Sequence, residues 1–88
     1  MRAKDRLRML EETCEGAIYP TGMEEAIIGV AERTGQEDVA LLDKVKCLKI
    51  LMKQNGWTED EAEEWFYFNT IGAWMGDKTP VFVTLFEE

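Results

Sequence analysis

Residues that could carry out chemistry are few in this chain of 88 residues, and their spacing forms no catalytic or ligand-binding motif. Histidine is absent, which removes the most common general base and the most common metal ligand. The two cysteines, Cys14 and Cys47, lie far apart in the sequence and lack metal-type spacing. We therefore expect both to be small hydrophobic side chains buried in the core. The sequence therefore predicts no catalytic residue, no cofactor and no metal, and indicates a protein that is not an enzyme.

A run of acids between Glu59 and Glu64 is the only cluster that resembles a cation site. Thr58 followed by Glu61 matches the capping box, in which both side chains bind backbone amides at the start of a helix. The neighbouring acids complement the helix dipole, and calcium loops need a different spacing with a turn glycine. We interpret Thr58 and Glu61 as structural residues that begin the last helix.

The formal charge is −8, from 18 acids and 10 bases. This balance argues against direct nucleic-acid binding, because affinity for phosphate depends on cationic contacts. The acidic balance has two interpretations: it keeps the protein soluble, or it provides a negative surface that steers the protein to a basic partner. With no signal peptide and no apolar run long enough to cross a membrane, we expect a cytoplasmic protein that does not bind membranes.

The N-terminal residues 1–15 form a short amphipathic helix, with Leu7, Leu10 and Cys14 on one side. Its basic residues crowd the N-terminal end and its acids the C-terminal end, which is unfavourable for the helix dipole. We therefore expect a peripheral helix or a partner-binding arm, followed by a single α+β domain over residues 16–88.

Residues 26–31 have two interpretations. Thr21 with Glu24 matches a capping box and would start a helix there. Consecutive β-branched residues with a glycine in mid-segment favour a strand instead, and we choose the strand. Residues 39–42 then form the return strand of a hairpin.

Two helices and a final strand complete the predicted fold. Asp43 caps a helix over residues 44–54 whose solvent face is a stripe of lysines, and Gly56 ends it. After the helix that Thr58 begins, residues 79–86 alternate like a strand. We predict a small antiparallel three-stranded sheet, the hairpin plus the C-terminal strand, covered on one face by these two helices.

The last helix presents two different sides. One side carries apolar and small residues with a single amide: Ala62, Trp65, Phe66, Asn69, Gly72, Ala73 and Gly76. We expect the Asn69 amide to be buried against backbone, and Gly72 and Gly76 to allow another element to approach closely. Tyr67 and Trp74 lie seven residues apart on the other side, beside Glu63. Because so small a core has little room for a second aromatic line, we predict that these three residues bind a partner.

Residues 25–82 resemble a family of small uncharacterised proteins encoded in bacteriophage and prophage genomes. The resemblance is carried by Gly56-Trp57-Thr58-Glu59-Asp60-Glu61, Phe68-Asn69-Thr70-Ile71-Gly72-Ala73-Trp74 and Thr79-Pro80-Val81-Phe82. The sequence has Asn55-Gly56 where such proteins often have Asp-Gly. The family carries no established catalytic residues, so none can be transferred to this chain. The resemblance implies a phage setting, the cytoplasm of an infected bacterium, and a possible anti-CRISPR or other counter-defence role.

Two functional hypotheses follow. The first is a non-enzymatic protein that binds and inhibits a host protein, such as a CRISPR effector or another defence protein. The second is a structural or assembly role as a homodimer, with the small-residue face or a sheet edge as the interface.

Overall fold

The central element of the computed structural model is strand β2 (Val39–Asp43), and the structure describes residues 2–71 and 76–86. β2 pairs antiparallel with β1 (Ile27–Ala31) and parallel with β3 (Val81–Val83), so the strand order is β1-β2-β3. Helix α1 (Ala3–Thr13) precedes the sheet, and helices α2 (Lys44–Asn55) and α3 (Glu59–Phe66) lie between β2 and β3. The predicted α+β fold is confirmed, including the hairpin and the choice of a strand at residue 27.

The predicted orientation and length of the last strand were wrong. β3 runs parallel to β2, because α2 and α3 together return the chain to the end of the sheet where β2 begins. Only Val81–Val83 pairs, whereas residues 79–86 were expected to form the strand. Val83 lies opposite Asp43, the last residue of β2, so the residues that follow have no neighbouring strand backbone to bind.

β2 passes directly into α2 through Asp43. The Asp43 carboxylate accepts hydrogen bonds from the backbone amides of Val45 at 2.9 Å and Lys46 at 3.4 Å, as an N-cap does. Gly56 ends α2 in the left-handed conformation, with φ of +67°. Both helix boundaries predicted from the sequence are therefore confirmed to within one residue.

Helix α1 packs against β1 more closely than a peripheral helix would. Leu10 and Cys14 are buried in the same hydrophobic cluster as the residues of β2 and α2. The Arg6 guanidinium donates a hydrogen bond to the carbonyl of Ile27 at 3.0 Å. These contacts make α1 part of the packed domain, although its charged side chains are arranged unfavourably for the helix dipole.

Helix α3 begins at the predicted capping box and changes geometry at its end. The Glu61 carboxylate accepts from the Thr58 amide at 3.0 Å, and the Thr58 hydroxyl accepts from the Glu61 amide at 3.3 Å. After Phe66 the chain continues as one π-helical turn, Tyr67–Ile71. The Phe66 ring is fully buried and meets the Phe82 ring of β3 edge-on, with 5.0 Å between centroids.

Gly76 does not have the role predicted for it. A Cβ built at Gly76 has no atom of another element within 4 Å among residues 2–71 and 76–86, so no described element packs closely against this glycine. Its φ of +90° explains the glycine instead, because a Cβ is unfavourable in that region. Gly72, the other glycine of the predicted contact, lies outside the described residues.

We expect Gly76→Ala to lower the free energy of unfolding by about 1–2 kcal/mol, because an L side chain is strained in the left-handed region. Gly29→Ala is the matched control: Gly29 has equally open surroundings without a positive φ. The control should be neutral or stabilise by up to about 1 kcal/mol. Urea denaturation of the three proteins measures both effects, and equal stability of Gly76→Ala and the wild type would contradict the backbone explanation.

Candidate partner-binding site

Large aromatic side chains lie at the surface of α3 and of the π-helical turn that follows it. Phe68 is 78% exposed, Tyr67 46% and Trp65 39%. Exposed aromatic residues on one short segment are uncommon in a monomer, and aromatics are enriched where proteins bind partners. This segment is therefore the candidate for a partner-binding surface.

A shallow groove of about 400 Å³ lies within this surface, and we call it the aromatic groove. It is lined by Trp57, Glu61, Glu64, Trp65, Phe68 and Asn69. The rings of Trp57 and Trp65 pack at a tilt of 44° with 6.1 Å between centroids, which holds both in place. The groove thus combines aromatic rings with the carboxylates of Glu61 and Glu64, which we call its acidic rim.

The capping box positions this groove. Trp57 immediately precedes the Thr58 N-cap, and Trp65 follows two helical turns later. Because Glu61 accepts from both the amide and the hydroxyl of Thr58, the start of α3 is fixed relative to Trp57. The capping box that begins α3 therefore also positions the two tryptophans relative to each other.

Tyr67 and Glu63, two residues predicted to bind a partner, meet at Lys44. The Lys44 ammonium donates to the Tyr67 hydroxyl at 2.7 Å and to a Glu63 carboxylate oxygen at 3.4 Å. The hydrogen bond to Tyr67 is the largest cause that raises the pKa of Lys44 above its ordinary value; desolvation opposes it, and the attraction of Tyr67 and Glu63 adds to it. The Tyr67 hydroxyl therefore accepts a hydrogen bond within the chain, and the same ammonium lies 4.4 Å from the centroid of the Tyr67 ring. Trp74, the third predicted residue, lies outside the described residues.

The prediction of a buried Asn69 was wrong. Asn69 is exposed, and its amide donates to the carbonyl of Trp65 at 3.0 Å within its own helical segment. The buried positions are instead Ala62, Phe66 and Thr70, spaced four residues apart. Ala62 and Phe66 lie in α3, and the π-helical turn that follows Phe66 brings Thr70, and not Asn69, to the buried side.

Sequence reasoning therefore missed Trp65 and Phe68 as exposed residues, and the half-buried Trp57 as their neighbour in the groove. A helical wheel with constant spacing placed Trp65 on the buried face and assigned Phe68 to neither face. The available signal was the density of bulky aromatics after Ala62, which exceeds what one helix face can bury in a small domain.

Neither cysteine is placed for nucleophilic chemistry. Both thiols are free and buried, as predicted. Burial, followed by the negative charge of Asp43, raises the pKa of the Cys47 thiol to about 12, so little thiolate forms at neutral pH. The Cys14 thiol donates to the carbonyl of Asp38 at 2.9 Å, and the Lys78 ammonium donates to the same carbonyl at 3.4 Å. Cys14 therefore joins three segments of the chain.

Within residues 2–71 and 76–86, no group of three or more histidine, cysteine or acidic side chains is arranged to hold a metal ion. Among the helices described there, none combines the length and the apolar character needed to cross a bilayer.

Comparisons with known proteins found no match to this chain among protein-family models, curated proteins or solved structures. The resemblance to phage-encoded proteins therefore stays a hypothesis.

We expect Asn69→Leu to change the free energy of unfolding by less than about 0.5 kcal/mol, because surface substitutions away from special contacts have small effects. Phe66→Ala, in the buried part of the same segment, should cost about 3–5 kcal/mol. Thermal or urea unfolding of both variants measures the contrast. A loss of more than about 1 kcal/mol in Asn69→Leu would show that this amide is structural after all.

The raised pKa of Cys47 predicts a stability loss in alkali. Between pH 9.0, the ordinary thiol pKa, and about pH 12, the unfolded chain releases this proton while the folded chain keeps it. The unfolded state is therefore favoured as the pH rises, by at most about 1.4 kcal/mol per pH unit. Cys47→Ala lacks this contribution, so the stability of wild type relative to this variant should fall above pH 9. Parallel stability curves for the two proteins over this range would contradict the prediction.

Proposed function

We propose that this protein is a non-enzymatic, phage-type protein that binds a host protein through the aromatic groove and its acidic rim. The observation that carries the proposal is the exposure of Trp65 and Phe68 beside Trp57, on a segment whose start is fixed by a capping box. Aromatic side chains held in place before binding lose little conformational entropy when a partner covers them.

The charge around the groove indicates the chemistry of the partner. Glu61 and Glu64 line the groove, and the whole chain carries a formal charge of −8. A partner with basic side chains around an apolar patch would complement both features, and the long-range field would speed its association. Lysines or arginines at the rim of the partner are therefore expected.

The host setting of this partner rests on the resemblance to phage-encoded proteins. Within that setting, an inhibitor of a CRISPR effector or of another defence protein agrees with a small acidic binding protein. Mimicry of nucleic acid agrees less well, because α2 exposes a basic stripe of Lys46, Lys49 and Lys53. The proposed mechanism is therefore surface binding by aromatic anchors.

A host that carries an active CRISPR system provides the test. The tagged protein is expressed there, captured proteins are identified by mass spectrometry, and the plating efficiency of a targeted phage is measured. We expect the wild type to retain a defence protein and to raise phage plating. Phe68→Ser should weaken retention by at least about tenfold and reduce the plating effect, since hot-spot aromatics contribute about 2 kcal/mol or more.

Met9→Ser is the control, because Met9 is also an exposed apolar residue but lies on α1, away from the aromatic groove. It should bind and protect like the wild type, and circular dichroism should show both variants folded. Retention of the partner by Phe68→Ser at the wild-type level would contradict the assignment of the groove. Wild-type protein that neither captures a defence protein nor changes plating would contradict the proposed function.

A further inference from the structure

A second cavity lies between α1 and β1, and among the described residues it shares no lining residue with the aromatic groove. It has a volume of about 470 Å³, and we call it the α1–β1 groove. Small-molecule sites have volumes of about 300–1,000 Å³ and mostly apolar walls with a few polar groups. The walls here are largely apolar, with Met9 and Leu10 on the α1 side and Ile28 and Val30 on the β1 side.

The β1 wall of this groove contains a β-bulge. Ile27 lies opposite Leu42 and Gly29 lies opposite Leu41, so Ile28 is an extra residue of β1 without a partner in β2. Bulges change the direction of the side chains beside them, and they are frequent next to binding sites. Gly29 contributes no side chain, and a Cβ built there meets no atom within 4 Å. The bulge and the glycine therefore leave open space in this wall.

The α1–β1 groove has two cations at one end, although the whole chain carries a formal charge of −8. Arg6 and Lys46 line both this groove and an adjoining cavity, so they lie where the two meet. The Arg6 guanidinium donates to the carbonyls of Glu25 at 3.2 Å and Ile27 at 3.0 Å, which holds its charge in place. Lys46 is exposed, and no carboxylate in residues 2–71 and 76–86 forms an ion pair with it. None of the acidic side chains in these ranges lines the groove, although Glu25 lines the adjoining cavity.

An anion with an apolar chain complements both features. A carboxylate can accept a charge-assisted hydrogen bond from the Lys46 ammonium, and an acyl chain can cover the apolar walls. An added peptide strand fits less well, because it needs backbone partners on β1 and the Ile27 carbonyl is already bonded to Arg6. The α1 wall from Arg6 to Thr13 is about 10 Å long, which is the length of an extended chain of about eight carbons.

We propose that the α1–β1 groove binds a medium-chain fatty acid. The carboxylate lies at Lys46 and Arg6, and the acyl chain lies between Met9 on α1 and the bulge at Ile28. Binding at this site does not rest on the proposed function, because the aromatic groove is a different surface.

Isothermal titration calorimetry with octanoate at pH 7.5 tests the ligand class. We expect one octanoate per chain, and hexanoate should bind at least about tenfold more weakly because two methylene groups leave the apolar walls. Octylammonium has the same chain with the opposite charge. It should bind more weakly than octanoate, although a chain with a formal charge of −8 attracts cations in general. No binding of octanoate at millimolar concentration, or equally tight binding of octylammonium, would overturn the proposal.

Reversal of one charge tests the cationic end. Lys46→Glu should raise the dissociation constant of octanoate at least about tenfold, because a close attraction becomes a repulsion. Lys53→Glu is the matched control, since Lys53 is also exposed on α2, lines neither cavity, and changes the net charge by the same amount. The control should bind octanoate within about twofold of the wild type. Equal weakening in the two variants would contradict a carboxylate site at Lys46.

Filling the groove tests where the acyl chain lies. Gly29→Leu adds a side chain where a Cβ meets no neighbour, so the variant should fold and bind octanoate at least about tenfold more weakly. Circular dichroism checks the fold of each variant. In NMR spectra of the ¹⁵N-labelled wild type, octanoate should shift the amide signals of Met9 and Ile28 and leave that of Phe68 unchanged. Unweakened binding by a folded Gly29→Leu, or shifts at Phe68 in place of Ile28, would overturn the assignment of the α1–β1 groove.

Discussion

The carboxylate of Asp43 is the constraint on which the rest of this structure depends. Asp43 is the last residue of β2, lies opposite Val83 of β3, and caps α2 without an intervening loop. The direction of α2 is therefore set by the central strand, and α3 packs on α2 in turn. The position of the aromatic groove relative to the sheet follows from this one strand–helix junction.

The small core explains why so many aromatic residues remain at the surface. Phe66 and its contact with Phe82 occupy the space between α3 and the sheet. A domain of this size buries only about 60–65% of its extended surface, so the core cannot bury further aromatic rings besides these two. Trp65, Tyr67 and Phe68 are left to solvent or to a partner, and their exposure is a consequence of chain length as well as of function.

The helix caps, which depend on neighbouring residues, could be predicted from the sequence. The pairing of β3 and the π-helical turn, which depend on how distant segments pack, could not. Asp43, Gly56 and the pair Thr58 and Glu61 each act within four residues of themselves, so their roles could be predicted from the sequence. The parallel pairing of β3 depends on how two whole helices return the chain, which no residue pattern near Val81 encodes. The π-helical turn shifts the buried position from Asn69 to Thr70, and a wheel of constant period cannot show such a shift.

The contact of Cys14 with Asp38 and Lys78 has a consequence for the rate at which the domain folds. It joins α1, the segment before β2 and the segment before β3, across sequence separations of 24, 40 and 64 residues. Closing such long loops costs more conformational entropy than forming local contacts does. These contacts therefore form after the local helices and the β1–β2 hairpin. We therefore expect a folding transition state in which the hairpin and α2 are formed while the two ends of the chain are still unpaired.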